Sequence, residues 1–323
     1  MTEPSKITFR VFRKEPDSDS HRIDTYEVDM VEGMSVLDAL TLIKDWQDTS
    51  LSYRSSCRSA ICGSCAMTIN GHAKLACRTQ VKDEVAKWGE VRVEPLGNFP
   101  VLKDLVFDLN PYWKQVNSVT PWLEDRPDGK EGESAPLTEK GMEQFKGVED
   151  CILCGACYGQ CTAYEADNRF IGPAALAKGY RFTVDPRDGK GLERLMEGLQ
   201  DEKGIWSCAR CYFCSQVCPK DVQPAKAIGR LQEMASKEGT VNTEGTRYAK
   251  AIKNDIEKIG RINETTLPLR VAKINPDTII SMVPMGITLL LKRKLPSPLM
   301  RSLKGIADVK SIFRRIRERG EEK

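Results

Sequence analysis

A chain of 323 residues has room for two or three domains with cores of their own, and twelve cysteines in it need a collective explanation. They fall into three tight groups, and the opening "MTEPSKITFRVFRKEPD" has no apolar core of a signal peptide, so a short secreted disulfide scaffold is excluded and reduced thiolates in a cytosolic setting are expected. The net charge of +3 is unevenly spread: Lys292 to Lys323 hold eleven Lys and Arg against four Asp and Glu, a net +7, which leaves −4 for the rest.

In chain order, "KITFRVFR" alternates Ile7, Phe9 and Val11 inward against charged neighbours, the period of a half-buried strand, and "RIDTYEVDM" reads as its hairpin partner. In "GMSVLDALTLIKDWQ" the period becomes helical, with Val36, Leu37, Leu40, Leu42, Ile43 and Trp46 fitting a helix and Ser35 as N-cap. A cysteine-rich loop and the strands "CAMTIN" and "EVRVEPL" complete a predicted β-grasp arrangement. "LEDRPDGKEGESAPLTEKG" reads as an exposed connector. Beyond it "GPAALAKGYRFTVD", "GLERLMEGLQDEKGIWSC", "VQPAKAIGRLQEMASKEG" and "GTRYAKAIKNDIEKIG" read as helices. The most apolar stretch, "TIISMVPMGITLLL", falls short of the ~18 residues of a membrane span and is interrupted by Pro284, so no transmembrane helix is expected. In the basic tail, Ile306, Val309, Ile312, Phe313 and Ile316 share one helical face with basic residues beside them. No aromatic interleaving or recognition motif accompanies that charge, so nucleic acid is not an expected partner; docking on another subunit is preferred, ahead of an anionic lipid surface or a solvated face.

The cysteine spacings carry the chemistry. Cys57-x4-Cys62-x2-Cys65-x11-Cys77 matches the plant-type 2Fe-2S pattern, and the small residues Ser59, Ala60, Gly63, Ser64 and Ala66 allow backbone N–H groups to approach a cluster. Cys151, Cys154, Cys157 and Cys161 have the x2, x2, x3 spacing of a bacterial two-cluster ferredoxin, repeated at Cys208, Cys211, Cys214 and Cys218. In such a pair the fourth cysteine of each run serves the other run's cluster. This assigns Cys151, Cys154, Cys157 and Cys218 to one 4Fe-4S cubane, and Cys161, Cys208, Cys211 and Cys214 to the other. Structural zinc is the rival reading of each set. Pro219 follows Cys218 as the motif expects, whereas Thr162 stands after Cys161.

With "SCRSAICGSCAM", "PLGNFPVLKDLVFD", "CILCGAC", "GPAALAKGYRFTVDPRD" and "CPKDVQPAKAIGRLQ" in this order, the chain resembles the iron-sulfur subunit of succinate dehydrogenases and fumarate reductases over residues 5–235. The resemblance implies an α+β chain with a β-grasp 2Fe-2S domain (1–105), an all-α two-cluster domain (106–245) and a basic helical extension (246–323). It implies electron relay between the FAD of a flavoprotein subunit and a quinone- or thiol-linked partner, with no residue of this chain acting on the dicarboxylate. The complex would sit peripherally on the cytoplasmic face of the membrane, unless exported on a partner's signal.

Two departures from the common family pattern bear on the exit of electrons. Most members have a 3Fe-4S third cluster with no cysteine at the middle position, where this chain has Cys211, so a complete 4Fe-4S cluster is expected; the alternative is a 3Fe-4S cluster with Cys211 as an unligated buried thiol. The common quinone site uses a Trp pair and a His beside that cluster, where this chain has Tyr164 alone in "CTAYEAD" and Ala209 in "CARC"; His21 and His72 read as surface residues. A branch of the family with the extra cysteine pairs with a cysteine-rich CCG-domain subunit similar to those of heterodisulfide reductases, in place of the haem-bearing membrane anchor. The C-terminal extension resembles the tail of the small heterodisulfide reductase iron-sulfur subunit. A thiol-disulfide redox complex without a flavoprotein is therefore the alternative function.

Overall fold

A computed structural model describes residues 6–124, 136–199, 203–237, 243–271, 276–294 and 300–321. It divides into two compact units, Met1–Leu231 and Gln232–Lys323.

The first unit opens with a five-stranded sheet of order β2-β1-β5-β3-β4. Strand β1 (Lys6–Arg13) pairs antiparallel with β2 (Arg22–Asp29), as expected. Phe9 and Val11 are fully buried, and helix α1 (Val36–Trp46), which packs against β2, has its Ser35 in a reciprocal capping box with Asp38. The helix buries Val36, Leu37, Ala39, Leu40 and Ile43, whereas Leu42 and Trp46 point outward, Trp46 at 82% exposure. The i, i+4 row through Leu42 and Trp46 is turned away from the sheet, and the smaller Ala39 lies on the contact line instead.

Strand β3 (Ala66–Ile69) turns through Asn70 and Gly71, both at positive φ, into β4 (His72–Leu75). Asn-Gly is the strongest short hairpin signal, and it marks a strand the period-2 reading passed over. Helix α2 (Val81–Trp88) leads to β5 (Val91–Glu94), which runs parallel to β1 and antiparallel to β3. A second ribbon, β6 (Val101–Lys103) and β7 (Val106–Phe107), follows. It is tied back by a charge network around Arg13, which falls on the inward side of the β1 alternation. Arg13 is fully buried and donates to Asp104 (3.0 Å), Tyr26 (2.6 Å), Ser50 (2.7 Å) and Asp48, while Asp104 also accepts from the Ser52 N–H at 2.9 Å. Such a pair persists in a dry interior because the remaining lone pairs are satisfied, and here it secures the segment that enters the first cysteine loop.

The rest of this unit is helical: α3 (Asn110–Asn117), α4 (Glu139–Glu143), α5 (Ala156–Gly159), α6 (Thr162–Ala166), α7 (Pro173–Thr183), α8 (Gly191–Glu193), α9 (Phe213–Gln216) and α10 (Pro224–Lys237), in which the division of the chain falls. Most of the predicted connector (125–135) lies outside the described residues. Its end forms α4, capped by Thr138. The helix expected from Gly191 to Cys208 is instead α8, a π-helical turn at Arg194–Gly198 and a 3-10 turn at Ile205–Ser207. Arg194, buried against Asp188 (3.0 Å) and Glu124 (3.3 Å), anchors the start of that irregular stretch. Mixed α+β architecture, sheet first and helices after, is as the sequence predicts.

The second unit holds α11 (Glu244–Ile259), α12 (Leu267–Val271), α13 (Pro276–Leu291) and α14 (Ile306–Glu321). Arg270 grips Asp255 through two hydrogen bonds of 2.7 and 2.6 Å, clamping α12 to α11. On α14 the expected apolar face is divided: Ile306, Val309 and Phe313 are half-buried, while Ile312 and Ile316 are exposed. Pro284 lies inside α13 rather than ending it. Among the described residues no helix is long and apolar enough to cross a membrane.

Candidate cluster sites

The first cysteine group is assembled by a loop and the β3–β4 hairpin. The pairing of Ala66 with Leu75, and the Ala76 N–H donating to the Cys65 carbonyl at 3.0 Å, close the eleven-residue gap and set Cys65 beside Cys77. On the loop side, Cys57 Sγ accepts from the N–H groups of Cys62 (3.2 Å), Ser59 (3.4 Å) and Ile61 (3.4 Å), and Cys62 Sγ accepts from the Cys57 N–H at 3.5 Å. Arg58, Ala60 and Gly63 are at positive φ. Alternating left-handed residues turn successive N–H groups to one side, a concavity suited to negative charge. Ser64 holds the exposed Cys62 thiol down, to about 6, whereas burial raises that of Cys65.

The second and third groups share one backbone device. In each run the residue before the second cysteine, Leu153 or Arg210, and the residue after it, Gly155 or Tyr212, are left-handed, and a one-turn helix (α5 or α9) carries the third cysteine. The two runs then exchange ends. One cavity is lined by Cys151, Cys154, Cys157 and Cys218, with Tyr112, Ala174 and Val222 among its walls. A second is lined by Cys208, Cys211, Cys214 and Cys161 with Ala209, Tyr212 and Phe170. Each cavity thus combines three cysteines of one run with the last of the other. Among the described residues no three His, Cys, Asp or Glu side chains converge on one ion position; the thiols surround a space.

The chemistry of these cavities suits a cationic iron-sulfide core. Burial pushes the Cys157 thiol far up, Cys154 to about 11 and Cys214 to about 12, so thiolates there need metal to compensate them. Lys178 lies near Cys151, and Cys161 and Cys218 each accept a backbone N–H at 3.4 Å, from Tyr164 and Val222. Thr162, which replaces the expected proline, starts α6 and sets its hydroxyl 3.7 Å from Cys211 Sγ. Cys211 is exposed, unlike the buried bystander of the alternative reading. His21 and His72 are exposed, away from these walls.

The three groups are stitched together. Gly63 (φ +73°) abuts Cys154 so closely that a Cβ would lie 2.7 Å from the Cys154 Cβ. Arg78, next to Cys77, donates to the carbonyl of Pro219, next to Cys218, at 2.9 Å. Asn98 donates to the carbonyls of Tyr158 (2.7 Å) and Cys161 (3.1 Å), holding the sheet region on the turn between the two helical cavities.

Comparison with known proteins finds two cluster-binding domains along the chain. Residues 8–114 match a 2Fe-2S iron-sulfur cluster binding domain, and residues 147–222 match a 4Fe-4S dicluster domain. The fumarate reductase iron-sulfur subunit of Mycobacterium tuberculosis is 43% identical over 234 residues, covering 72% of this chain and 93% of the relative. The chain belongs to the fumarate reductase/succinate dehydrogenase iron-sulfur subunit family. The corresponding subunit of Haemophilus influenzae is 37% identical, covering 75% of this chain and 98% of that one. The Mycobacterium smegmatis Sdh1 complex in the apo form contains a chain superposing with a TM-score of 0.64 at 25% identity, over 73% of this chain and 97% of that chain. Members of this family are subunits of oxidoreductase complexes, and the 2Fe-2S and 4Fe-4S domains are in the family order here.

Proposed function

We propose that this iron-sulfur subunit relays electrons one at a time between the FAD of a flavoprotein subunit, which interconverts succinate and fumarate, and a cysteine-rich CCG-domain partner. The observation that carries the reading is the pair of cavities with exchanged cysteine sets, the second of which includes Cys211. Cys57, Cys62, Cys65 and Cys77 would hold a 2Fe-2S cluster; Cys151, Cys154, Cys157 and Cys218 a 4Fe-4S cluster; and Cys161, Cys208, Cys211 and Cys214 a third cluster of 4Fe-4S type. Bound there, the clusters supply one-electron carriers whose potentials follow cluster type, hydrogen bonding and burial. The contacts of Gly63 with Cys154 and of Arg78 with Pro219 support the order first, second, third.

Support for the exit lies around the third cavity. Its rim exposes Cys211, Tyr212 and Phe213, an apolar border suited to a protein partner, and Ala209 leaves no imidazole there for a quinone. In this reading residues 1–105 form a β-grasp domain, 106–245 the two-cluster domain, and 246–323 a basic extension that docks on the partner. The complex is peripheral on the cytoplasmic face of the membrane.

Low-temperature EPR of the anaerobically purified complex tests this. Expected are silence of 3Fe type in the oxidised protein and, on dithionite reduction, a 2Fe-2S signal with two interacting 4Fe-4S centres. Cys211→Ser should remove one iron and create a 3Fe-type signal; unchanged iron and spectra would sink the assignment of Cys211. Copurification with a large flavoprotein is expected, and its absence would favour a thiol-disulfide redox complex instead.

A further inference from the structure

Tyr112 sits on α3, outside both cysteine runs, and is fully buried. Its ring lines the cavity of Cys151, Cys154, Cys157 and Cys218, edge-on to Tyr158 with centroids 4.9 Å apart. The two tyrosines differ in one respect. Tyr158 donates its hydroxyl to the Ile171 carbonyl, whereas the Tyr112 hydroxyl has no hydrogen-bond partner. Among the described residues the other unpartnered buried side-chain atoms belong to Glu149, Thr183, Arg194 and Trp206, none of which lines a thiol-bearing cavity.

A phenol in a dry interior finds a partner, because leaving its O–H unpaired forfeits hydration with nothing in return; phenylalanine would fill the same volume without that cost. Aromatic edges and aliphatic walls supply no acceptor on the cavity side. Sulfur does line that cavity beside the ring, at Cys151, Cys154, Cys157 and Cys218, and Cys157 and Cys151 act on this hydroxyl more strongly than Tyr158 does.

We infer that Tyr112 donates a hydrogen bond to the sulfur of the middle cluster and thereby raises its potential, a positioning residue that tunes the relay. The inference rests on the reading that these four thiolates hold a 4Fe-4S cluster. An O–H···S bond strengthens as negative charge accumulates on sulfur, so it stabilises the reduced cluster more than the oxidised one. Tyr112 would keep its proton throughout, its O–H holding the sulfur more tightly the more negative charge that sulfur carries. Burial also disfavours the phenolate, so the O–H stays available as donor.

The test is a potentiometric EPR titration of the intact complex with Tyr112→Phe, after iron and sulfide analysis has shown the middle cluster in both proteins. The expected result is a lower midpoint for the middle cluster alone, with loss of one exchangeable-proton coupling to the reduced cluster in pulsed ENDOR. An unchanged midpoint and the same couplings would overturn the inference while leaving the cluster assignment intact; a wild-type middle site without iron would overturn both. If the Phe variant loads poorly, fluorotyrosine in place of tyrosine keeps the ring shape and makes the hydroxyl a stronger donor. It should raise the same midpoint, and a midpoint that does not move would count against the inference.

Discussion

The two helical cavities are built from the same x2, x2, x3 cysteine run and the same pair of left-handed residues, yet they meet their surroundings differently. Around Cys151, Cys154, Cys157 and Cys218 the inner walls Tyr112, Ala174, Ala177 and Val222 are at 3% exposure or less, and the outer ones, Ile152, Leu153, Pro219 and Lys220, are half-buried. Around Cys161, Cys208, Cys211 and Cys214 the rim is open: Tyr212 is 49% exposed, and Ala209, Arg210 and Cys211 are at the surface. A relay needs both kinds of site. An interior cluster must be shielded from water and oxidants, whereas a terminal one must come close to a partner. The difference teaches that the cysteine motif specifies a cluster cradle, and that the neighbouring helices decide whether the cradle is a way-station or a port.

The largest effect should come from separating the crossed ligands. Cys218→Ser is expected to remove the iron, sulfide and EPR signal of the shielded site while the open site survives, and Cys161→Ser to do the reverse. Metal analysis with EPR on the two variants decides it: if each serine removed the cluster of its own run, the exchange of ends would be wrong. Because burial of Cys157 makes an uncompensated thiolate so unfavourable, loss of the shielded cluster should also cost more thermal stability than loss of the open one.

A smaller effect is expected where the first loop meets the shielded site. Gly63→Ala places a methyl group at a positive φ and against Cys154, which should cost about 1–3 kcal/mol. Differential scanning fluorimetry should show an earlier transition, and EPR a weaker magnetic interaction between the 2Fe-2S centre and its neighbour. A variant as stable as wild type, with the interaction unaltered, would mean the loop has room that the geometry denies it.

The smallest effect belongs to the open site. Thr162→Val removes the hydroxyl beside Cys211 without changing side-chain shape, and should lower the third midpoint by the equivalent of about 1 kcal/mol, a few tens of millivolts. Potentiometric titration would register it, and a shift in the shielded cluster instead would break the comparison.

Much of this was legible in the residues. Spacing alone paired Cys151 through Cys161 with Cys208 through Cys218, because three thiols two residues apart can reach a common centre from a single turn. The alternation of Ile7, Phe9 and Val11 and the capping residues of α1 are local signals, and the structure has them as expected. Other features were less accessible. Arg13 continues the inward side of β1, but nothing in its neighbourhood announces Asp104, ninety-one residues away, as its counter-charge. Strand β4 was signalled by Asn70-Gly71 and missed because four residues are too few for alternation to register. Tyr112 gave no signal at all: on an eight-residue helix it reads as one more core aromatic.

Taken by itself, the sequence determined what is carried by short-range geometry: the three cysteine groups, the sheet-then-helix order, the cap of α1 and the basic tail. Only the tertiary structure decided which cavity is shielded and which is open, that Gly63 rests on Cys154, that Thr162 faces Cys211, and that the buried Tyr112 hydroxyl is left unpartnered beside a thiol-lined cavity. The physical reason is that burial and hydrogen-bond partnership depend on elements distant in the chain, whereas ligand spacing and hydrophobic period are properties of a few consecutive residues.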